Sequence, residues 1–535
     1  MILENVRIFQ PYRSFNQNQK YAVEIEGEQI KKIHSSPYEG KEETINGDGK
    51  VLCSSFNDSH MHFLRYGLLK KELDFTEVTS WEEMKVLIEN HYSELEQYDW
   101  VYGKGFNDDQ FEDIDHLLTA DDLNEIQVNA YMYFMHQDGH ECVISEKAIE
   151  LLKKEEDFKK EPEEFKEKNA DGQWNGRFKD TAVHYIKRHF WGRSTEDAKE
   201  ALRKAAPKLS EHGVTSFHTD DINFIGSYDR LWNAYTELEE EGDLPFDVHL
   251  HHYIFNINDL REYLNNNQKR SGEGTKQVKV GAVKIFLDGT QRLYTAAMRN
   301  PYPVEPSKAG LLVYTQAQLN DIVRTAGENG MQVAMHAIGD KAVEQAVTAL
   351  EQPSATTGAL RHRIIHAQTL APDLIDRLRR LKPYIETQPS FLLEEWDKKQ
   401  NWSPDELLPY CDPFRSLQKD HIPLTLSSDL PIGALNPWVT IFAAVNRTDL
   451  NGKPEGGWIP QEKLTVEEAF IGFTKTPAAL EYREGNKGMI ESGYQADFIL
   501  LDRHPQEVDP ADLAQIEVLE TWHRGKRVYK NDDIS

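Results

Sequence analysis

Six residues have types and spacings that suit metal-assisted hydrolysis. His60 and His62 stand in FNDSHMHF, close behind an apolar run. In an extended chain residues i and i+2 point the same way, so both imidazoles can reach one ion. His336 closes MQVAMH, His366 closes RIIH, Asp429 closes PLTLSSD, and Lys284 lies inside VKIFLDG. A single strand-end histidine is more often a hydrogen-bonded core residue, and Asp429 by itself could be a helix cap or a turn residue. Taken together, four imidazoles and a carboxylate form a nitrogen/oxygen ligand set. It suits Zn best, and Mn, Fe or Ni less well.

Something must bring these residues together. Eight short apolar segments read as buried parallel strands: 51–56, 214–218, 246–253, 283–287, 331–336, 363–366, 384–388 and 423–429. Helix-like segments separate most of them. The run 315–330 has helical spacing and ends at Gly330; 340–352 and 372–382 behave alike. Alternation of strand and helix predicts an α/β fold, and eight such strands predict a (β/α)8 TIM-type barrel. Active sites of that barrel sit at the C-terminal ends of the strands, where the six residues fall.

Two regions break the alternation. Both chain ends carry short strands with Gly turns: ILENVRIF, YAVEIEG and QIKKIHS at one end, and GMIESG, ADFILLD and EVLETWHRGKRVY at the other. They predict a small composite β-sandwich from 1–50 and 485–535. The barrel is expected over 51–70 and 205–484. Residues 71–204 form an insertion after the first barrel strand, with a strand of their own in NAYMYFMHQDGH (129–140). The charged run 152–172 reads as a solvated helix and loop, or as part of a lid.

The motifs resemble the metal-dependent amidohydrolase superfamily. In that superfamily the HxH pair follows strand 1, a Lys sits on strand 4, histidines on strands 5 and 6, and an Asp on strand 8. The ordinals found here are the same. The similarity is closest to the YtcJ-like branch, which includes N-substituted formamide deformylases. It runs through GKGFNDDQF (103–111), QDGHECVISEKAI (137–149), VKIFLDGT (283–290), MHAIGDKAV (335–343), IIHAQ (364–368), 412–438 and GMIESGYQADFILLD (488–502). The chain departs from the pattern where Pro-Gly usually precedes the HxH strand, and where Phe106 replaces a Trp.

The resemblance implies a hydrolase that cleaves a carbon–nitrogen bond, other than a peptide bond, with a metal-activated water. It implies one or two divalent ions held by His60, His62, Lys284, His336, His366 and Asp429, with Lys284 carboxylated where two ions are bridged. Carboxylation needs a neutral amine, and the apolar run GAVKIFL would favour one; a buried pair with Asp288 is the alternative. Asp429 is the expected proton acceptor and donor, and His140 is expected to help polarise the substrate carbonyl. The same site could attack a lactone, a phosphotriester or a ring amidine. A non-catalytic barrel scaffold is the remaining reading, which the complete ligand set disfavours.

Bulk properties set outer bounds. A chain of 535 residues exceeds one ordinary core. Its formal charge of −29 disfavours nucleic acid and anionic membranes. No stretch approaches the about 18 apolar residues of a membrane span, and the first residues lack a secretory signal pattern. Three scattered cysteines make no disulfide framework, so a cytoplasmic location is expected. The expected partner is a small-molecule substrate, with a homodimer as the oligomer considered. The charge, together with Phe106, Phe391, Trp396 and Trp438, predicts a neutral or cationic amide with an apolar N-substituent.

Overall fold

The computed structural model describes residues 1–12, 15–16, 18–68, 72–93, 100–190, 194–352 and 360–531. Eight strands form one sheet in which every neighbouring pair is parallel: β1 (Phe56–Met61), β2 (Val214–Thr219), β3 (Asp247–Tyr253), β4 (Val278–Phe286), β5 (Val333–Ala337), β6 (Arg363–His366), β7 (Tyr384–Thr387) and β8 (Leu424–Leu426). Their order in space is their order in the chain. Almost every residue in them is buried, as expected when helices cover one face and side chains fill the other. The outermost strands also meet, since Ser59 Oγ on β1 donates to Thr425 Oγ1 on β8 at 2.9 Å.

The helices begin and end on local signals. Helix α1 (Gln316–Glu328) starts from a Thr315 capping box with Gln318 and gives way to Gly330 at φ +72°. Helix α2 (Asp340–Leu350) follows β5. Helix α3 (Pro372–Leu381) has Pro at its first position and ends on Lys382 in the left-handed region.

The expected first strand at 51–56 needs correction, because it straddles two strands in different sheets. Val51–Ser54 pairs in parallel with Arg7–Ile8 and antiparallel with Phe498–Leu501. The hand-over takes one residue: the Ser55 N–H donates to the Asp497 carbonyl, and the Phe56 N–H to the Gly213 carbonyl. His60 therefore lies within β1, not after it. The end sheet runs Lys526–Lys530, Val518–His523, Phe498–Leu501, Val51–Ser54, Ile2–Ile8, Tyr21–Glu26, Gln29–Ser35, with Thr44–Asn46 also on Ile2–Ile8. Leu3, Val23, Ile30, Leu52, Phe498 and Trp522 build its core. GMIESG forms turns rather than a strand, with Gly488 and Gly493 both at positive φ.

The chain divides into two compact units, one of 1–63, 202–220 and 232–535, the other of 64–201 and 221–231. The second unit has its own six-stranded sheet. Its strands, in order, are Lys166–Lys168, Trp174–Lys179, Glu141–Ile144, Tyr131–His136, Trp100–Phe106 and Leu73–Asp74. The charged run 152–172 holds no long helix. The helix Glu146–Leu152 stops at its edge, and two 3-10 turns follow, which bury Phe158 and Phe165. Those two aromatic residues anchor a segment whose charges alone suggested solvent on all sides.

Candidate functional site

The C-terminal ends of β1, β6 and β8 converge. Ligand-capable atoms of His60, His366 and Asp429 all lie within 4.8 Å of one another, and all three residues are buried. Oδ1 of Asp429 is 3.4 Å from Nε2 of His60 and 3.4 Å from Nε2 of His62. The His60 and His366 ring centres are 6.0 Å apart, and those of His366 and His336 4.6 Å. Lys284 Nζ is 3.4 Å from His60 Nε2. Every residue expected at the site from β1, β4, β5, β6 and β8 is thus linked to the next.

Hydrogen bonds fix the tautomers of three of the imidazoles. Carbonyl oxygens only accept, so His62 Nδ1 donates to the Asp220 carbonyl and His336 Nε2 to the Gly289 carbonyl at 3.1 Å. His366 Nδ1 donates to Gln388 Oε1 at 2.7 Å, while Gln388 Nε2 donates to Ser427 Oγ. These bonds leave lone pairs on Nε2 of His62 and His366 and on Nδ1 of His336. Such outer partners orient ligating imidazoles in metal sites.

The backbone at the site is held in unusual conformations. His366, Ala367 and Asp429 all have positive φ (+73°, +47° and +53°). Side chains rarely adopt this region, and it persists only where neighbours enforce it. Asp58 is one such neighbour: its carboxylate accepts the Ser428 N–H at 3.1 Å on both oxygens and the His60 N–H at 3.2 Å. Burial raises the Asp58 carboxyl to about 7, against the pull of those bonds.

Electrostatics divide the roles. Burial alone would raise the Asp429 carboxyl, but the adjacent His62 and the nearby His366 and Lys284 charges hold it below the usual carboxylate range. Burial, then the Lys284 charge, keeps His60 far below an ordinary histidine. Burial lowers Lys284, with Asp220, Asp429 and Glu386 opposing. The alternative pairing of Lys284 with Asp288 is not found: no carboxylate lies within ion-pair distance of Lys284 among the described residues. Asp288 instead accepts N–H bonds from Ala297, Ile338 and Gly339 at 2.9–3.0 Å and ties the loops after β4 and β5 together.

Asp58, Asp220, Glu386 and Gln388 escaped sequence reasoning, and Asp288 entered it only as a partner for Lys284. Asp58 and Asp288 do sit within the motifs FNDSH and FLDG, two residues from a histidine and four from Lys284. Gln388, at the end of β7, carries no such signal. The aromatic expectations divide. Phe391 faces His366 with ring centres 6.4 Å apart, and Trp396 is half-buried near it in sequence. Trp438 is instead fully buried against Phe56 and Phe470, and Phe106 lies in the core of the second unit beside His136. Both are packing residues because their strand or helix face turns inward. His140 belongs to the second unit, where its Nδ1 pairs with Asp180 Oδ1 at 3.1 Å.

Two other groups have ligand-like composition. Asp247, Asp497 and His523 lie close together, but Arg483, Lys487 and Arg524 already surround Asp247. His136, Asp138 and Glu141 also cluster, with Glu141 held by Arg177 at 2.8 Å. Both are ion-pair networks whose carboxylates are already engaged.

The profile of the amidohydrolase family matches residues 43–529. The chain is 31% identical to the "Putative amidohydrolase YtcJ" of Bacillus subtilis (strain 168), over 94% of this chain and 93% of that one. It is 23% identical to the N-substituted formamide deformylase of Arthrobacter pascens, over 91% and 90% of the two chains. Among solved structures, a metal-dependent hydrolase from Pyrococcus horikoshii OT3 aligns with a TM-score of 0.75 at 25% identity, covering 95% of this chain and 98% of that one.

Proposed function

The chain belongs to the amidohydrolase family, a family of hydrolytic enzymes; we propose that it cleaves the carbon–nitrogen bond of an amide, N-substituted formamides among them, at a metal centre on the β1–β8 ends. One observation carries this reading. Asp429 Oδ1 is buried without a hydrogen-bond donor, yet stands 3.4 Å from two imidazole Nε2 atoms. A buried carboxylate oxygen left this way is costly unless a cation completes it. The donor set of imidazoles and one carboxylate fits Zn.

His60, His62, His366 and Asp429 would hold the ion, with His336 and Lys284 as further ligands if two ions bind. A divalent ion bound there would supply a water made nucleophilic near neutral pH and would polarise the scissile carbonyl. Asp429, kept ionised by its neighbours, takes the proton from the attacking water and delivers it to the leaving nitrogen. Gln388 and the Asp220 and Gly289 carbonyls hold the imidazoles in the required tautomers. Phe391 supplies an apolar wall beside His366 for the N-substituent. The carbonyl-polarising role of His140 rests on the family resemblance; a His140→Ala protein that keeps its metal and loses kcat supports it.

The same reading treats the eight parallel strands as a (β/α)8 barrel, closed through the Ser59–Thr425 bond. The end strands form its composite β domain, and 71–204 is its insertion. No helix among the described residues is long and apolar enough to cross a membrane.

The test is a panel of formamides, acetamides, lactones, phosphotriesters and ring amidines, assayed after separate reconstitution with Zn, Mn and Ni. Amides with apolar N-substituents should give the highest kcat/KM. A lactone or phosphotriester far above every amide would overturn the amide assignment and leave the metal centre standing.

A further inference from the structure

Strands β3 and β4 carry a second polar face at their N-terminal ends, opposite the candidate metal site. Partners in a parallel ladder project to the same side of the sheet. His249 partners Lys279 and Tyr253 partners Lys284, so Lys279 shares the face of Lys284. The register slips between Leu250 and His252, where β4 carries one extra residue, and this slip brings Lys279 round to that face. Lys279 lies roughly 15 Å along the strand from Lys284, well away from the proposed metal ligands.

A cavity of about 590 Å³ opens at this end. Sites for small molecules span about 300–1,000 Å³. Its lining includes Lys279, His249, Arg483, Arg524, Lys276 and Asp247, all in the unit that holds the parallel sheet. The buried carboxylates are already matched. Asp247 has Arg483 at 3.0 Å, Lys487 at 3.2 Å and Arg524 at 2.8 Å, and Glu481 has Lys487 at 2.7 Å. Glu273, exposed at the rim, accepts the Arg270 main-chain N–H at 2.8 Å.

Donors remain uncommitted. Lys279 is half-buried and makes no hydrogen bond or ion pair among the described residues. Arg483 donates once each from Nε, Nη1 and Nη2, to Asn486, Asp247 and Gln495, which leaves two of its N–H groups. His249 is only 4% exposed, and its one polar neighbour among the described residues is Glu481 Oε2, 3.7 Å from Nε2. The Arg483 charge is the one that bears most on the Lys279 amine, and it repels it. An anion between the two would turn that repulsion into attraction.

We infer that this cavity binds the phosphate group of a small molecule. The phosphate oxygens accept from Lys279, from the remaining Arg483 N–H groups and from His249, and the rest of the molecule fills the cavity. A phosphate suits these donors better than a carboxylate, because three oxygens can meet three separate side chains.

The experiment is calorimetric titration of the full-length protein with glycerol 3-phosphate and ribose 5-phosphate, each against its unphosphorylated parent. Inorganic phosphate and acetate are titrated separately. At least one monoester should bind about tenfold or more tighter than its parent and than acetate, and tighter than inorganic phosphate. Lys279→Met should lose that preference while melting no lower than the parent protein, and Lys279→Arg should keep it; Lys279→Gln serves if the Met variant does not fold. Equal affinity for monoester and parent, or inorganic phosphate bound as tightly as the monoesters, would overturn the ligand. Unchanged binding in the folded Lys279→Met protein, or binding lost when metal is removed by chelation, would place the anion elsewhere and overturn the site. No turnover is measured, so the result is independent of the amide assignment.

Discussion

The main-chain N–H of Asp429 donates to the carbonyl of His60 at 2.9 Å. That bond joins a residue three past the end of the last parallel strand to the first strand, so the proposed base and a proposed ligand are fixed by the backbone and not by side-chain packing alone. The N–H of His62 makes a second such link, to the Leu430 carbonyl at 2.7 Å.

Replacing His60 with Ala should remove bound metal and activity together, while the circular dichroism spectrum stays that of the parent. The proposed ligands gather towards the C-terminal ends of the strands, apart from the apolar layers that hold sheet and helices together. A His60→Ala protein with full metal content by elemental analysis and normal turnover contradicts the assignment.

Asp429→Asn keeps the shape and removes the proton acceptor. The expected fall in kcat is about 10²-fold or more, the scale for loss of a general base. At least one ion should remain bound through the histidines. Unchanged kcat between pH 5 and 9 would show that the proton goes elsewhere.

Gln388→Leu leaves the acceptor of His366 Nδ1 missing. Metal affinity should drop by about 10–100-fold, the usual effect of removing an outer partner of a ligating histidine. Competition with a chromogenic chelator measures it, and affinity within a factor of two of the parent would deny Gln388 a positioning role.

Lys284 is buried, its amine is lowered by that burial, and it makes no carboxylate ion pair among the described residues. Crystals grown with Zn and bicarbonate should show density beyond Nζ, bridging two ions roughly 3.5–4 Å apart. A bare amine beside a single ion would establish a mononuclear centre.

Glu481 offers a test of stability against pH. Burial would raise its carboxyl, but Lys487, His249 and His218 outweigh that and hold it well below the usual range. A lowered folded-state value means stability that is complete above about pH 4.5 and lost as pH falls below it. Glu481→Gln takes from Lys487 the nearer of two carboxylates, at 2.7 Å, and leaves it Asp247 at 3.2 Å, so the change should cost about 1.5–3 kcal/mol at pH 7. Urea unfolding from pH 3 to 7 should show a shallower acid slope in the variant; parallel slopes would remove Glu481 as a source of acid sensitivity.

Much of the candidate site could be read from the sequence because its proposed ligands lie at or near the ends of apolar strands. His336 and His366 each close a short apolar run, and Asp429 follows one across two serines, a local contrast that needs no knowledge of the fold. Gln388 and Asp220 were not legible in this way. Their roles depend on which strand lies beside which, and on a main-chain oxygen that any residue type supplies. Trp438 and Phe106 misled because an aromatic residue near a motif has the same local pattern whether it faces a pocket or a core. The strand at 51–56 misled for a different reason. Apolar residues continue through Ser54 and Ser55 without a turn signal, although the chain changes sheets there.

That change of sheets makes the chain sensitive to length at one point. Between Ser54 and Phe56 only Ser55 intervenes, and both flanking strands have their pairing fixed by partners far away in sequence. Side chains alternate faces with a period of two. One extra residue inserted here, with the downstream hydrogen bonds kept, would be taken up as a bulge and leave His60 in place. If the upstream register were kept instead, every side chain of β1 would be inverted, and His60 and His62 would turn away from Asp429 together. Homologues of this chain should therefore tolerate insertions in the turns of the end sheet far more readily than at this junction.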